Sequence, residues 1–507
     1  MKLKIASIIL TVLLITYFGV ACVQTESSNK ITILPSTDTT AADDPVTSLT
    51  DPLTSISDSD MITSWSDSDT KISLNGSSAS VSGSGATANG SVVTITEEGS
   101  YVASGTLSDG QIVIAAANTD KVHLVLNGVD IVSKSSAPVY ASQCDKLAIT
   151  LADGTKNSLT DGGSGFLYAD PVEEEPNAAL FCKDDLTING TGSLIVNASF
   201  NNGIVSKDDL MIISGEITVS AANHGIKGND SITLLSGVLD ITASNDGINS
   251  NGNIIISGGD LTISVGDDGI HADGNLTVNA GTIIVNESYE GLEAANIIIT
   301  GGEIDLTSSD DALNAAGDAE ETGGGIFGKN DFSTAGAYSI NISGGNIILS
   351  AGGDGIDSNG TISISGGNIQ AIINSSPDNG ALDADGEISF TGGTIIYGGT
   401  GVGSAPGNKS TQSYVFLNSG IISGTEITVQ MNGQTLIAFT PSSNLQYLAL
   451  SSPDILSGES YDIYSGNNRI STVIGGEGGN GMMNGGPGGA AAPGGRDFPG
   501  GKERPEG

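Results

Sequence analysis

Asp246-Gly247-Ile248-Asn249-Ser250-Asn251-Gly252-Asn253-Ile254-Ile255-Ile256 is followed, 22 residues after its first residue, by Asp268-Gly269-Ile270-His271, and that spacing decides the fold. The same step separates Ile204, Ile226, Ile248, Ile270 and Leu292; Leu313 then follows at 21 residues, Ile356 at 43 and Leu382 at 26. The 43-residue step reads as two coil lengths together, with a lid-like loop, Ala319-Glu320-Glu321-Thr322-Gly323-Gly324-Gly325, inside 317–337. A second column of turns recurs at Gly258-Gly259, Gly301-Gly302, Gly344-Gly345, Gly366-Gly367 and Gly392-Gly393. Between turns lie short apolar runs such as Asn253-Ile254-Ile255-Ile256 and Asn296-Ile297-Ile298-Ile299. One such coil cannot bury its apolar face, whereas a stack can. The pattern predicts an all-β chain, a right-handed parallel β-helix of about 22-residue coils with β caps at both ends. The nonapeptide calcium repeat is excluded, because Gly352-Gly353-Asp354-Gly355-Ile356-Asp357 fits it once and the period is 22.

Composition agrees. Gly makes up 73 of 507 residues and aromatics only 4%, which suits short stacked strands of β-branched residues better than packed helices. The 58 acidic and 17 basic residues give a net charge of −41. Such a surface repels nucleic acid and anionic membranes and attracts divalent cations, so nucleic-acid binding is set aside.

Along the chain, residues 1–22 read as a lipoprotein-type signal peptide. Lys2 and Lys4 precede the apolar run Ile5 to Phe18, which ends in the lipobox-like Gly19-Val20-Ala21-Cys22, with Cys22 the lipidated residue. A plain cleaved signal or an uncleaved anchor is the other reading; each exports the chain. The expected location is the cell membrane, facing outward, or otherwise the secreted fraction. Residues 23–70, rich in Ser, Thr and Asp, read as a disordered tether. Residues 71–126 form an N-terminal β cap, 127–412 the β-helix, 413–474 a C-terminal β cap or small β domain, and 475–507 a Gly/Pro-rich tail. Cys144 and Cys182 could pair only if their coils bring them close; Cys182 matches the small inward Ser206, which favours a buried free thiol.

Aligning the coils on the turn Ile or Leu exposes polar columns. Two residues before it stand Asn202, His224, Asp246, Asp268, Glu290, Asp311, Asp354 and Gly380. One after it stand Val205, Lys227, Asn249, His271, Glu293, Asn314, Asp357 and Asp383, and three after it Lys207, Asn229, Asn251, Asp273, Ala295, Ala316, Asn359 and Asp385. If the aligned residue points inward, the +1 and +3 positions face outward together. Carboxylates on neighbouring coils then lie about 5 Å apart, repelling by about 3 kcal/mol per pair at an effective dielectric of about 20 before screening. From Gly203 to Thr400 the only basic residues besides histidine are Lys207, Lys227 and Lys329. Calcium, which takes about six to eight oxygens in flexible geometry, would turn this repulsion into coordination. The expected ligands are Asp246, Asn249, Asp268, His271, Asp273, Glu290, Glu293, Asp311, Asp354, Asp357, Asp383 and Asp385. Asp-Gly and Asn-Gly are also ordinary turn dipeptides, so the Asn positions alone carry little weight. His224 and His271, with no cysteine near them, are weak evidence for zinc.

The coils Asn202-Gly203-Ile204-Val205-Ser206-Lys207-Asp208-Asp209-Leu210, Gly225-Ile226-Lys227-Gly228-Asn229-Asp230 and Asp246-Gly247-Ile248, with Leu124-Val125-Leu126-Asn127-Gly128-Val129 and Gly154-Thr155-Lys156-Asn157-Ser158-Leu159-Thr160 at the entry, resemble the bacterial carbohydrate-binding β-helix lipoproteins that bind cellulose and polygalacturonate. The resemblance runs from about Ile72 to Thr472 and implies a parallel β-helix, bound calcium and polysaccharide binding at the cell surface. That fold is similar to the family 9 pectate lyases, which use a calcium cluster and a lysine base. Asp267-Asp268-Gly269-Ile270-His271 departs from the lyase-like Asp-Asp-x-x-Asp by ending in His271, which counts against lyase chemistry.

Three functions follow for a monomer with a polysaccharide partner and a membrane link only through lipid. The first is calcium-dependent, non-catalytic binding of an acidic pectin-type glycan, with cellulose as a further ligand for which aromatics are scarce; Tyr289, Tyr397 and Phe200 are the stacking candidates. The second is a pectate lyase, with Lys227 or Lys207 as base; each otherwise serves as charge partner for Asp208, Asp209 or Asp230. The third is a structural calcium-binding adhesin.

Overall fold

Three strands make each coil, and their burial follows the side-chain period of two. In the coil Ile248–Ser250, Asn253–Ile256 and Asp260–Val265, residues Leu261, Ile263 and Val265 point inward while Asp260 and Thr262 face water. At the second turn column the chain needs a left-handed backbone that only glycine adopts freely: φ is +110° at Gly237, +96° at Gly259, +103° at Gly281 and +102° at Gly302. Within the stack the strands pair in parallel with their equivalents in the next coil, as in Leu239 opposite Leu261, Leu261 opposite Ile283 and Ile254 opposite Leu276. This computed structural model describes residues 32–33, 56–316, 338–373, 379–400, 405–407 and 409–476. Over that range the chain is an all-β parallel β-helix of about 12 turns. Among the described residues the only helical turn is the short 3-10 segment Gly163–Gly165. The leader with Cys22, the expected tether up to residue 55 apart from Thr32–Ile33, the loop at 317–337 and the tail from 477 lie outside the described residues.

The aligned residues form one inward column: Ile204, Ile226, Ile248, Ile270, Leu292, Leu313, Ile356 and Leu382 stand opposite one another in order, each 0–1% exposed. Burying each such side chain contributes about 1.5–3 kcal/mol, and one apolar core runs from Ile72 to Ala449. One expectation is corrected here. Leu313 stands directly opposite Ile356 and Ile297 opposite Ile340, so the 43-residue step is a single coil carrying an insertion, not two coils. Spacing alone cannot separate the two cases, because an inserted turn of one coil's length preserves the period.

At the entrance, Thr70–Gly76 already pairs in parallel with Gly99–Leu107, while the hairpin partners Ala79–Ser82 and the pair Ala86–Asn89 and Val92–Ile95 run antiparallel. At the exit, Thr394–Gly399 turns antiparallel against Leu445–Ser451. A separate antiparallel sheet of Ile427–Met431, Gln434–Phe439, Ser460–Ser465 and Asn468–Ile474 follows, with Thr32–Ile33 on its edge and its own apolar core. Tyr397, a stacking candidate by sequence, is fully buried in the β-helix core against Phe390 and cannot meet a ligand. Cys182 stands opposite Ser206, and both it and Cys144 are buried free thiols; burial pushes the Cys182 thiol up.

Residues 56–69, inside the stretch read as a tether, form a strap across the first coils. Asp60 is fully buried, and its carboxylate accepts hydrogen bonds from Lys146 Nζ (2.8 Å), Thr187 Oγ1 (2.6 Å) and the Ser57 amide (2.8 Å). Asn189 Nδ2 donates to the carbonyls of Asp60 (2.8 Å) and Ile62 (3.0 Å). Burial alone would raise the Asp60 pKa, but the hydrogen bonds from Lys146, Ser57 and Thr187 hold it down at about 2. A lowered carboxyl stabilises the fold above its unfolded value of about 3.9, and that contribution is lost as pH falls toward 2. Asp60→Asn should therefore cost about 1–3 kcal/mol at pH 7 in urea unfolding, and its deficit against the parent chain should shrink between about pH 4 and 2.

Candidate functional site

Because the coils stack in register, the polar columns become a ladder. The +1 column runs Val205, Lys227, Asn249, His271, Glu293, Asn314, Asp357, Asp383, each opposite the next. In the −2 column one carboxylate oxygen accepts the backbone amide of the next coil's −2 residue. Asp246 Oδ1 takes the amide of Asp268 (3.2 Å), Asp268 Oδ1 that of Glu290 (3.3 Å), Asp311 Oδ1 that of Asp354 (2.5 Å), and Asp354 Oδ1 that of Gly380. The second oxygen is thereby free to face its neighbours in the +1 column. Asp246 Oδ2 accepts from Asn249 Nδ2 at 2.6 Å and lies 3.1 Å from His224 Nδ1, while Asp268 Oδ2 lies 3.2 Å from His271 Nδ1.

Three groups of candidate ligand atoms each lie within 4.8 Å of one another: Asp268, His271 and Glu293; Asp246, Asp267 and Asp268; and Asp354, Asp357 and Asp383. Glu290 and Asp311 belong to none of these groups but occupy the −2 column between the first and the last. Asp273 reaches the ladder only through His271 Nε2, at 3.0 Å. Asp385 is exposed and belongs to no group, so the structure does not bring it to the site. Gly353 leaves room for acids: a Cβ there would stand 2.3 Å from Asp311 Oδ1 and 2.4 Å from Asp310 Oδ1.

The lysines differ from expectation. Lys207 pairs with Glu175 (3.6 Å), a buried carboxylate shared with Lys183 (2.9 Å), and not with Asp208, Asp209 or Asp230. Lys227 Nζ donates to Asn249 Oδ1 and to Asn251 Oδ1 (3.1 Å), and burial pushes its pKa down. Lys207 reaches back along the stack to the loop before the preceding coil's strand and Lys227 forward to the next coil, which adjacency in sequence does not reveal. Phe200 is stacked on Phe166, ring centroids 4.2 Å apart, whereas Tyr289 stands 47% exposed in the turn that carries Glu290.

Burial is the largest cause of raised carboxyl pKa values, with neighbouring acids adding to it. Glu290 is pushed up to about 9, helped by Glu293; Asp357 to about 8, helped by Asp311 and Asp354; Asp268 and Asp311 to about 7; Asp354 to about 6. Burial would lower His271, but Asp268, Glu293 and Asp273 hold it up at about 11, and His271 in turn holds Glu293 down. Asn314, only 8% exposed and lying between Glu293 and Asp357, gives Nδ2 to Glu290 (2.8 Å) while its Oδ1 has no hydrogen-bond partner among the described residues. Sequence alignment had placed Asn314 in the column without marking it as a ligand. A buried oxygen without a partner, among desolvated acids, is the environment a hard cation relieves.

Residues 89–331 match the family model described as carbohydrate-binding domain-containing protein. The chain is 46% identical over 129 residues to a carbohydrate-binding domain-containing protein of Acetivibrio thermocellus, across 25% of this chain; it spans 45% of that relative. It is also similar to the solved structure of a polysaccharide lyase-like protein from C. thermocellum, a gadolinium derivative, at 37% identity and a TM-score of 0.45, covering 46% of this chain and 96% of that one. The segment matched by that model, 89–331, contains the ladder from Asp246 to Asn314.

A carboxyl raised on folding favours the folded state at low pH and withdraws that support as pH rises from its unfolded value of about 4 through its folded one. Glu290, Asp357, Asp268, Asp311 and Asp354 share this sign, as does His271, raised from 6.5. Lys227 and His123, both lowered by burial, run the other way but are fewer. In chelator the melting temperature should fall between pH 5 and 9, and a saturating divalent cation should flatten that slope.

Proposed function

We propose that this chain, whose residues 89–331 match the model of a carbohydrate-binding domain-containing protein, is a calcium-dependent, non-catalytic binder of acidic polysaccharide of the pectin type. The observation that carries the reading is the ladder itself: buried and half-buried carboxylates on successive coils, among which, within the described residues, the Asn314 oxygen has no partner and no lysine pairs with one of these acids. The donor set suits calcium. Asp354, Asp357 and Asp383 with Asp311 and Asn314 would supply one all-oxygen site, and Asp246, Asp267 and Asp268 another. Bound calcium would reverse the local field of a chain whose net charge is −41. Uronate carboxylates could then complete its coordination in place of water, with exposed Tyr289 offering a ring face beside them. Export and lipidation at Cys22 would tether the binder outside the cell, where such glycans are met.

Lys227 supports a second reading, a pectate-type lyase. An amine held below its ordinary range beside a cation ladder suits removal of the proton α to a uronate carboxyl. Lys207, tied to Glu175, does not.

Polygalacturonate retention by the full chain should be lost in chelator and regained with calcium, and Asp357→Asn with Asp383→Asn should weaken it at least tenfold. Retention that is indifferent to complete calcium removal would sink the first reading. Ultraviolet absorbance for unsaturated uronate product should stay flat; product that appears with the parent chain and vanishes with Lys227→Ala would establish the second.

A further inference from the structure

We infer that Phe200 and Tyr168, backed by Phe166, form a stacking platform for one pyranose ring of a glycan that lies along the coil stack and meets Tyr289 further on. The inference rests on the polysaccharide reading above and adds where the sugar chain runs and how long it must be. In a chain with only 4% aromatics, three rings converge here. Phe200 lies parallel to Phe166, with centroids 4.2 Å and planes 3° apart. Tyr168 stands edge-on to both, 6.4 Å from Phe166 and 5.6 Å from Phe200. Phe166 is buried, whereas Phe200 and Tyr168 are half-buried and keep part of each ring in water. Leu167, 69% exposed, and Val172, 85% exposed, extend the apolar surface of the same segment.

The rings come from two neighbouring coils and are pinned by one acid. Asp161, 6% exposed, accepts the amides of Gly163 (3.0 Å), Ser199 (2.9 Å) and Phe200 (3.1 Å). The Leu167 amide donates to the Ser135 carbonyl (2.9 Å). The platform is therefore set before any ligand arrives, and binding spends little side-chain freedom on it. Fixed, half-exposed rings suit the C–H face of a pyranose. Apolar carbon meets apolar ring, and the hydroxyls at the sugar's rim stay in water. The Tyr168 hydroxyl makes no hydrogen bond among the described residues and is left to a sugar hydroxyl.

Direction follows from the stack. Phe200 precedes Asn201, and Asn201, Asn223, Asn245, Asp267 and Tyr289 follow one another in one turn column at steps of 22 residues. Four coil steps of about 4.8 Å put about 19 Å between the platform and Tyr289. Tyr289 is 47% exposed, with its hydroxyl hydrogen-bonded to Asp310. Between the two lie Asp246, Asp267 and Asp268, one of the cation groups. A 1,4-linked pyranose advances its chain by close to one coil step, so a ligand touching both ends needs about five units. Its middle carboxylates then pass over those acids. A shorter chain reaches the cation groups and one aromatic end at most.

The test is calorimetric titration of the full chain, in saturating calcium, with trigalacturonate and hexagalacturonate. The hexamer should bind the parent at least about tenfold more tightly than the trimer. Phe200→Leu keeps an apolar side chain on Phe166; it should melt like the parent and bring the two affinities within about threefold. Tyr168→Leu repeats that test should Phe200→Leu melt early, and Tyr289→Ala should remove the gain from the other end. An undiminished hexamer advantage in a folded platform variant or in Tyr289→Ala overturns the inference and leaves calcium-dependent glycan binding standing, as do equal affinities in the parent. Absence of binding by either oligomer and by polygalacturonate overturns the polysaccharide reading with it.

Discussion

Parallel pairing in register sets residue on residue at about 4.8 Å, and everything else in this molecule answers to that repetition. Whatever one coil carries at a given position, the stack multiplies. For the inward column this is gain: each added Ile or Leu covers the one before it, for about 1.5–3 kcal/mol apiece. For the −2 and +1 columns it is loss, since acids meet at a separation where repulsion is about 3 kcal/mol per pair before screening. The apolar columns are more numerous, so the fold tolerates the acidic ones, and the acidic ones stay charged only where something cationic stands among them.

The backbone takes part in this arrangement. By spending one oxygen on the next coil's amide, Asp246, Asp268, Asp311 and Asp354 are locked in direction, and the second oxygens of Asp246 and Asp268 turn to side chains of the neighbouring columns. Hydrogen bonds from the main chain thus do for these acids what a second ring of side chains does in many metal sites. The turn glycines serve the same end, Gly353 most plainly, where any side chain would strike Asp310 and Asp311.

Much of this was legible in the sequence because the signal is periodic. Eight aligned Ile and Leu positions, read only from spacing, are the eight that stack inward, and the +1 column derived from them is correct rung by rung. What failed has a common cause. The 43-residue step, the partners of Lys207 and Lys227, and the burial of Tyr397 all depend on what crosses between coils or closes an end, and the period is silent about both. A lone oxygen such as that of Asn314 is likewise invisible, since only geometry shows which half of an amide is satisfied.

The strap sets the order of assembly. Coil-to-coil contacts join residues about 22 apart, but Asp60 meets Thr187 and Asn189 across 127 and 129 residues. Closing the longer loop costs only about 1.5 kcal/mol more, yet it cannot close until the strand bearing Thr187 and Asn189 exists. A chain delivered from its N-terminus therefore carries an unfastened clasp ahead of its own buckle. The first turns stay provisional until the strand Asp185–Gly190, fifth in its column, arrives, and everything downstream zips onto an end that has just been locked.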